Sequence, residues 1–201
     1  MEVKKQPMSI SHAIESIRKH GFNPIRQNQQ YSFGDRAECR KLFEELFLAT
    51  DKTVKEFKYL PEYENIIQWM MDSKGTGLAM VGTCGRGKSA ILTGIIPVLF
   101  MMKNKVIRPY QAFDIPDKIN EIIRQWAFVI DEVGTENQCN EWGEKYEGFN
   151  RITDNAEAKM KMLFFTTNLS AQQMQDRYGL RTWDRIRRLC RVVSFEGSSL
   201  R

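Results

Sequence analysis

Gly82-Thr83-Cys84-Gly85-Arg86-Gly87-Lys88-Ser89 fills every fixed position of the phosphate-loop pattern G-x-x-x-x-G-K-[ST]. Leu78-Ala79-Met80-Val81 ahead of it is a short apolar run suited to a buried parallel strand, and Ser89 to Met102 behind it has helical character. A strand feeding a glycine-rich turn and then a helix N-terminus aims backbone N–H groups and the positive end of the helix dipole at one spot, which suits a triphosphate. The expected nucleotide contacts are Gly82, Thr83, Cys84, Gly85, Arg86, Gly87, Lys88, Ser89 and Ala90. Lys88 would reach the β- and γ-phosphates, and the Ser89 hydroxyl would ligate Mg2+. Arg86 is an unusual choice inside the loop and would either add a phosphate contact or face solvent.

Downstream, Trp126-Ala127-Phe128-Val129-Ile130 reads as a buried strand ending on Asp131-Glu132. This puts two carboxylates at the C-terminal edge of a parallel sheet, where doubly wound folds bind ligands. Asp131 would hold the metal through water, and Glu132 would orient and deprotonate the attacking water. The next strand, Met162 to Thr167, delivers Asn168, whose amide would bond the γ-phosphate or the attacking water; alternatively, Asn168 caps the helix that follows.

The rest of the 201-residue chain is consistent with one core. Strands are expected to start near residues 78, 106, 127, 162 and 190, giving a P-loop NTPase three-layer α/β sandwich around a mostly parallel five-stranded sheet. Pro109 restricts the second strand to an edge. Helices are expected over Ser9 to His20, from Asp35 toward Thr50, from Pro61 to about Ser73, over Asp117 to Gln125, from Glu144 to Lys161 and over Leu169 to Tyr178. Gly94 and Pro97 fall inside the apolar run after the phosphate loop and predict a kink or early stop near Ile96. Residues 1–55 are expected to form an N-terminal helical extension and 56–201 the ATP-binding domain.

Ala90 to Met102 is too short and too interrupted to span a bilayer. Without a secretory leader, and with four dispersed cysteines (Cys39, Cys84, Cys139, Cys190), the expectation is a cytoplasmic protein with free thiols. His12 and His20 lack partners at metal-ligand spacing. The net charge of +5 is concentrated at one end: from Arg177 onward there are seven arginines against Asp184 and Glu196. Concentrated arginine suits a nucleic-acid backbone or a terminal phosphate.

Taken together, G-T-C-G-R-G-K-S, F-V-I-D-E, F-F-T-T-N-L-S and R-Y-G-L-R-T-W-D-R-I-R-R with F-E-G-S-S-L-R resemble the DnaC/IstB family of AAA+ ATPases, helicase loaders and transposition helpers, over roughly Phe57 to Arg201. The resemblance implies an AAA+ core without the C-terminal helical lid. It also implies Asn168 as sensor 1, Arg201 as a sensor-2-like arginine, and Arg185 of Asp-Arg-Ile as an arginine finger reaching a neighbouring subunit. A finger acting in trans implies self-assembly into a ring or spiral. Arg181 is a second candidate for an intersubunit or DNA contact.

The function expected from this reading is ATP-driven loading or remodelling of a replicative helicase on single-stranded DNA, with Arg151, Lys159 and Lys161 adding backbone affinity. The alternative is an ATP-dependent transposition helper acting with a transposase. A small-molecule kinase and a nucleotide-bound switch are competing classes, distinguished by phosphoryl acceptors and by the need for Glu132. Tyr59 and Leu60 are candidates for the adenine pocket.

Overall fold

The computed structural model describes residues 8–21, 29–52 and 56–198. In chain order the helices and strands begin with α1 (Ile10–Lys19), α2 (Arg36–Thr50), α3 (Tyr63–Met71) and β1 (Gly77–Gly82). The helix after the phosphate loop comprises α4 (Lys88–Ala90), a π-helical turn (Ile91–Ile95) and α5 (Ile96–Met101). Then come β2 (Pro109–Gln111), α6 (Ile115–Ile122), β3 (Ala127–Val133), a hairpin of β4 (Cys139–Glu141) and β5 (Glu144–Tyr146), and α7 (Gly148–Lys159). The chain closes with β6 (Met162–Thr167), α8 (Ala171–Tyr178), α9 (Leu180–Leu189) and β7 (Cys190–Phe195).

Five strands make one sheet in the order β2-β3-β6-β1-β7, every neighbouring pair parallel. Because successive side chains point to opposite faces, each apolar run feeds two cores. Leu78, Met80, Val129, Phe164 and Val193 face a layer built from α2, α3 and the helix after the loop. Ala79, Phe128, Ile130, Leu163 and Phe165 face α6, α7, α8 and α9. The three-layer sandwich expected from the sequence is thus present, with the phosphate loop leaving the C-terminal end of an interior strand.

Several boundaries move for identifiable reasons. Cys39, Phe43 and Phe47 of α2 are buried in the same cluster as Leu78 and Met80, so α2 packs into the layer on that face of the sheet. The second strand starts at Pro109 rather than near 106 and pairs on one side with β3, as an edge proline permits. The break expected near Ile96 takes the form of the π turn, which widens the helix just before Pro97 at the start of α5. The polar stretch after Gly134 forms a hairpin, with Trp142 and Gly143 both at positive φ in its two-residue turn. The helix expected from Glu144 therefore starts at Gly148.

Candidate functional site

The phosphate loop is fixed from three directions. Gly82 has φ 123°, and a Cβ there would lie 2.1 Å from the Phe195 carbonyl oxygen, so only glycine lets β7 run this close. Gly87 has φ 88° and is backed by the Phe47 ring and the Tyr63 hydroxyl, which a Cβ would meet at 2.8 and 3.0 Å. On the third side, the Thr83 N–H donates to the Phe195 carbonyl at 3.0 Å, while its hydroxyl donates to those of Phe195 and Gly197 at 3.1 Å.

Arg86 follows neither expected course. Its guanidinium is buried and donates to Glu62 Oε1 at 2.7 Å and to the Ser198 carbonyl at 3.0 Å. Glu62 and Arg86 side chains are 8% and 9% exposed, so solvent screens this pair little. Arg86→Ala strands a buried carboxylate and is expected to cost about 3 kcal/mol in chemical denaturation. Replacing both Glu62 and Arg86 with alanine is expected to cost clearly less than the two single changes summed. A strictly additive result would show that the pair is not coupled.

Lys88 is buried, with its ammonium folded into the loop, donating to the carbonyls of Gly82 (2.7 Å) and Thr83 (2.6 Å) and to Asn168 Oδ1 (3.1 Å). Desolvation lowers its pKa below the usual lysine value, opposed by Cys84, Asp131 and Glu132. An anion at this spot would offset that desolvation.

The Ser89 hydroxyl donates to Asp131 Oδ1 at 3.0 Å, bringing together the two groups expected to hold a metal. A hydroxyl and a carboxylate at the loop mouth suit Mg2+, which keeps most of its waters and takes further oxygens from phosphate rather than from a protein cage. No group of three or more His, Cys, Asp or Glu side chains could hold a metal among the described residues. Asp131 is buried and Glu132 exposed, and Glu132 adopts left-handed backbone geometry with φ 59°.

Asn168 does not cap the next helix. Ser170 does, through a capping box with Gln173, which leaves the Asn168 amide beside Lys88. Sequence reasoning passed over Thr166 and Thr167 as ordinary strand residues. The Thr167 hydroxyl donates to the Val133 carbonyl at 2.6 Å and accepts from the Leu169 N–H at 3.1 Å, fixing the turn that presents Asn168. Thr166 Oγ1 contacts both Asp131 and the Glu132 backbone. Paired threonines at the end of a strand beside the carboxylate strand were the available signal.

Other expectations change. Arg185 is 8% exposed and is held by Asp154 and by Glu157, the latter at 2.7 Å, both reached across the α7–α9 contact. Arg177 donates to the backbone carbonyls of Gly134 and Glu136, Arg188 pairs with Glu157 and Asp184, and Arg191 donates to the Asn65 carbonyl. Arg181 and Arg187 are exposed and lack a hydrogen bond or ion pair among the described residues. Lys161 turns inward to the Ile123 carbonyl and over the Phe128 ring, and Arg151 pairs with Glu141 at the surface. The Arg40 guanidinium covers the Tyr59 ring at 4.6 Å and Leu60 is buried in the core, so neither offers adenine an open surface. Arg201 lies outside the described residues.

The loop, the two carboxylates and the amide converge at the C-terminal edge of adjacent strands, which defines a P-loop NTPase sandwich. Neither models of protein families nor curated proteins give a match to this chain. Among solved structures, it is similar to the crystal structure of DnaI, with 18% identity and TM-score 0.57 over 83% of this chain and 96% of that one. It is also similar to the DnaC helicase loader (16% identity, TM-score 0.52, 83% and 94% covered) and to AMPPCP-bound DnaA from Aquifex aeolicus (15%, 0.52, 70% and 48%). The chain therefore shares its fold with DnaI and the DnaC helicase loader. No helix among the described residues is long and apolar enough to cross a membrane.

Proposed function

We propose that this chain is an ATP-hydrolysing AAA+ protein of the helicase-loader type, acting on single-stranded DNA. The observation that carries this reading is the convergence of Lys88, Ser89, Asp131, Glu132 and Asn168 at one sheet edge in a fold shared with DnaI and the DnaC helicase loader. Lys88 and the loop amides bind the β- and γ-phosphates, and Ser89 and Asp131 would hold Mg2+. That ion would supply charge neutralisation on the phosphate oxygens. Glu132 takes a proton from the attacking water, and Asn168 orients that water or the γ-phosphate. The exposed Glu132 carboxylate, without a hydrogen-bond partner among the described residues, is open to water as the phosphoryl acceptor.

We assign the partner contact to α1. Its stripe of Ile10, Ala13, Ile14 and Ile17 has no buried residue, and Ile10 is 81% exposed, as expected of a helix whose apolar side is covered by another protein. In this reading the partner is a replicative helicase, with a transposase as the alternative, and co-purification distinguishes them. Arg181, Arg187 and Lys159 are the exposed cations assigned to DNA or to a neighbouring copy in a ring or spiral.

ATP turnover measured with and without single-stranded DNA tests the proposal. Turnover is expected to rise roughly threefold or more with DNA at low salt, and DNA affinity to fall steeply as salt increases. Absence of both binding and stimulation would remove the DNA-linked role. Rapid phosphoryl transfer to a nucleoside with negligible hydrolysis would move the chain to the kinase class.

A further inference from the structure

The ladder between β3 and β6 does not run evenly to the site. Ile130 pairs with Phe165 and Val133 with Thr167, so three steps along β3 match two along β6. Asp131 and Glu132 are thus both set opposite Thr166, and the strand bulges. A bulge leaves one backbone N–H without a ladder carbonyl, and here it belongs to Glu132. That N–H donates instead to Thr166 Oγ1 at 2.9 Å. The same hydroxyl gives its proton to Asp131 Oδ1 at 2.5 Å, the oxygen that also accepts from Ser89 Oγ at 3.0 Å. Glu132 sits at φ 59°, a sparsely populated conformation for a non-glycine residue that persists where its surroundings over-determine it.

We infer that Thr166 is a positioning residue for hydrolysis: one buried hydroxyl locks the bulge, setting where Glu132 aims its carboxylate relative to Asp131. This rests on the ATPase reading above. Thr166 is 1% exposed, so bulk water does not replace the hydroxyl if it is removed. A β-branched residue chosen merely for its strand preference would work as well as valine. A residue chosen for its hydroxyl would not, because the Glu132 N–H would be left unpaired and the bulge free to relax. Small misplacements of a catalytic group cost on the order of 100-fold in rate. Nucleotide affinity, set by the loop amides and Lys88, would be spared.

The test compares Thr166→Val, which keeps shape, with Thr166→Ser, which keeps the hydroxyl, measuring steady-state ATP turnover and ADP affinity by calorimetry. Thr166→Val is expected to lower kcat roughly 10- to 100-fold with ADP affinity within about threefold of wild type, and Thr166→Ser to stay within about threefold in both. The inference is overturned if the valine variant turns over like wild type. It is equally overturned if serine fails as badly as valine, or if rate and affinity fall together. Should the valine variant not fold, Thr166→Cys, a weak donor of similar volume, is expected to fall about tenfold below Thr166→Ser in kcat, and equality of the two overturns the inference. A wild-type protein that does not hydrolyse ATP removes the ATPase reading and this inference with it; an active wild type beside an equally active valine variant removes this inference alone.

Discussion

Glu132→Gln is expected to lower ATP turnover by about 10³-fold while leaving nucleotide affinity within a few-fold of wild type. Several features of the site converge on this result. The Glu132 carboxylate is exposed at the sheet edge and has no hydrogen-bond partner among the described residues, so replacing it breaks no packing. Its backbone is fixed independently of its side chain, through the N–H bond to Thr166. The loop groups proposed to bind phosphate lie between β1 and the helix after it. Glutamine keeps the size and polarity of the residue and removes its capacity to accept a proton, so ATP binds and is held. Quenched-flow turnover, run beside equilibrium binding of ATP, measures the two quantities separately. Turnover within about threefold of wild type would mean that hydrolysis does not depend on this carboxylate, and the nucleotide-bound switch would become the better reading.

How far the sequence discloses this site depends on whether each interaction is local along the chain. The phosphate loop is legible because its chemistry depends on a fixed spacing, and the Asp131-Glu132 pair because an apolar strand leads directly into it. The sheet is legible because its interior strands are short, continuous apolar runs buried on both faces. What the sequence conceals is pairing across distance. Glu62 and Arg86 are 24 positions apart, and nothing in a glycine-rich loop indicates that its arginine is directed into a neighbouring helix turn. Arg185 lies 31 positions from Asp154, so a motif that reads as an exposed finger is here an ion pair between helices. The bulge at Glu132 is hidden for a different reason: glutamate carries no preference for positive φ, and the conformation is imposed by a threonine on the adjacent strand.

The contrast between Arg181 and Arg185 gives the second large expected effect. An arginine acting across a subunit boundary must be free to leave its own surface, and α9 offers two candidates one turn apart. Arg185 would have to break its contacts with Asp154 and Glu157, whereas Arg181 has no hydrogen bond or ion pair to break among the described residues. We therefore expect Arg181→Ala to lower kcat about 10³-fold, the low end of the range for an arginine finger, with nucleotide affinity retained. Mixing it with Lys88→Ala is expected to restore part of the turnover, since a mixed pair then holds one intact site built from the loop of one copy and the arginine of the other. Arg185→Ala is expected instead to lower stability by about 1 to 2 kcal/mol, discounted because Asp154 and Glu157 are 55% and 33% exposed, with a smaller loss of rate. Denaturant midpoints and turnover of the two variants, singly and mixed, decide the matter. If Arg185→Ala proves the catalytically dead variant at unchanged stability and is restored by mixing, then α9 releases its ion pairs on assembly and Arg185 is the residue that crosses.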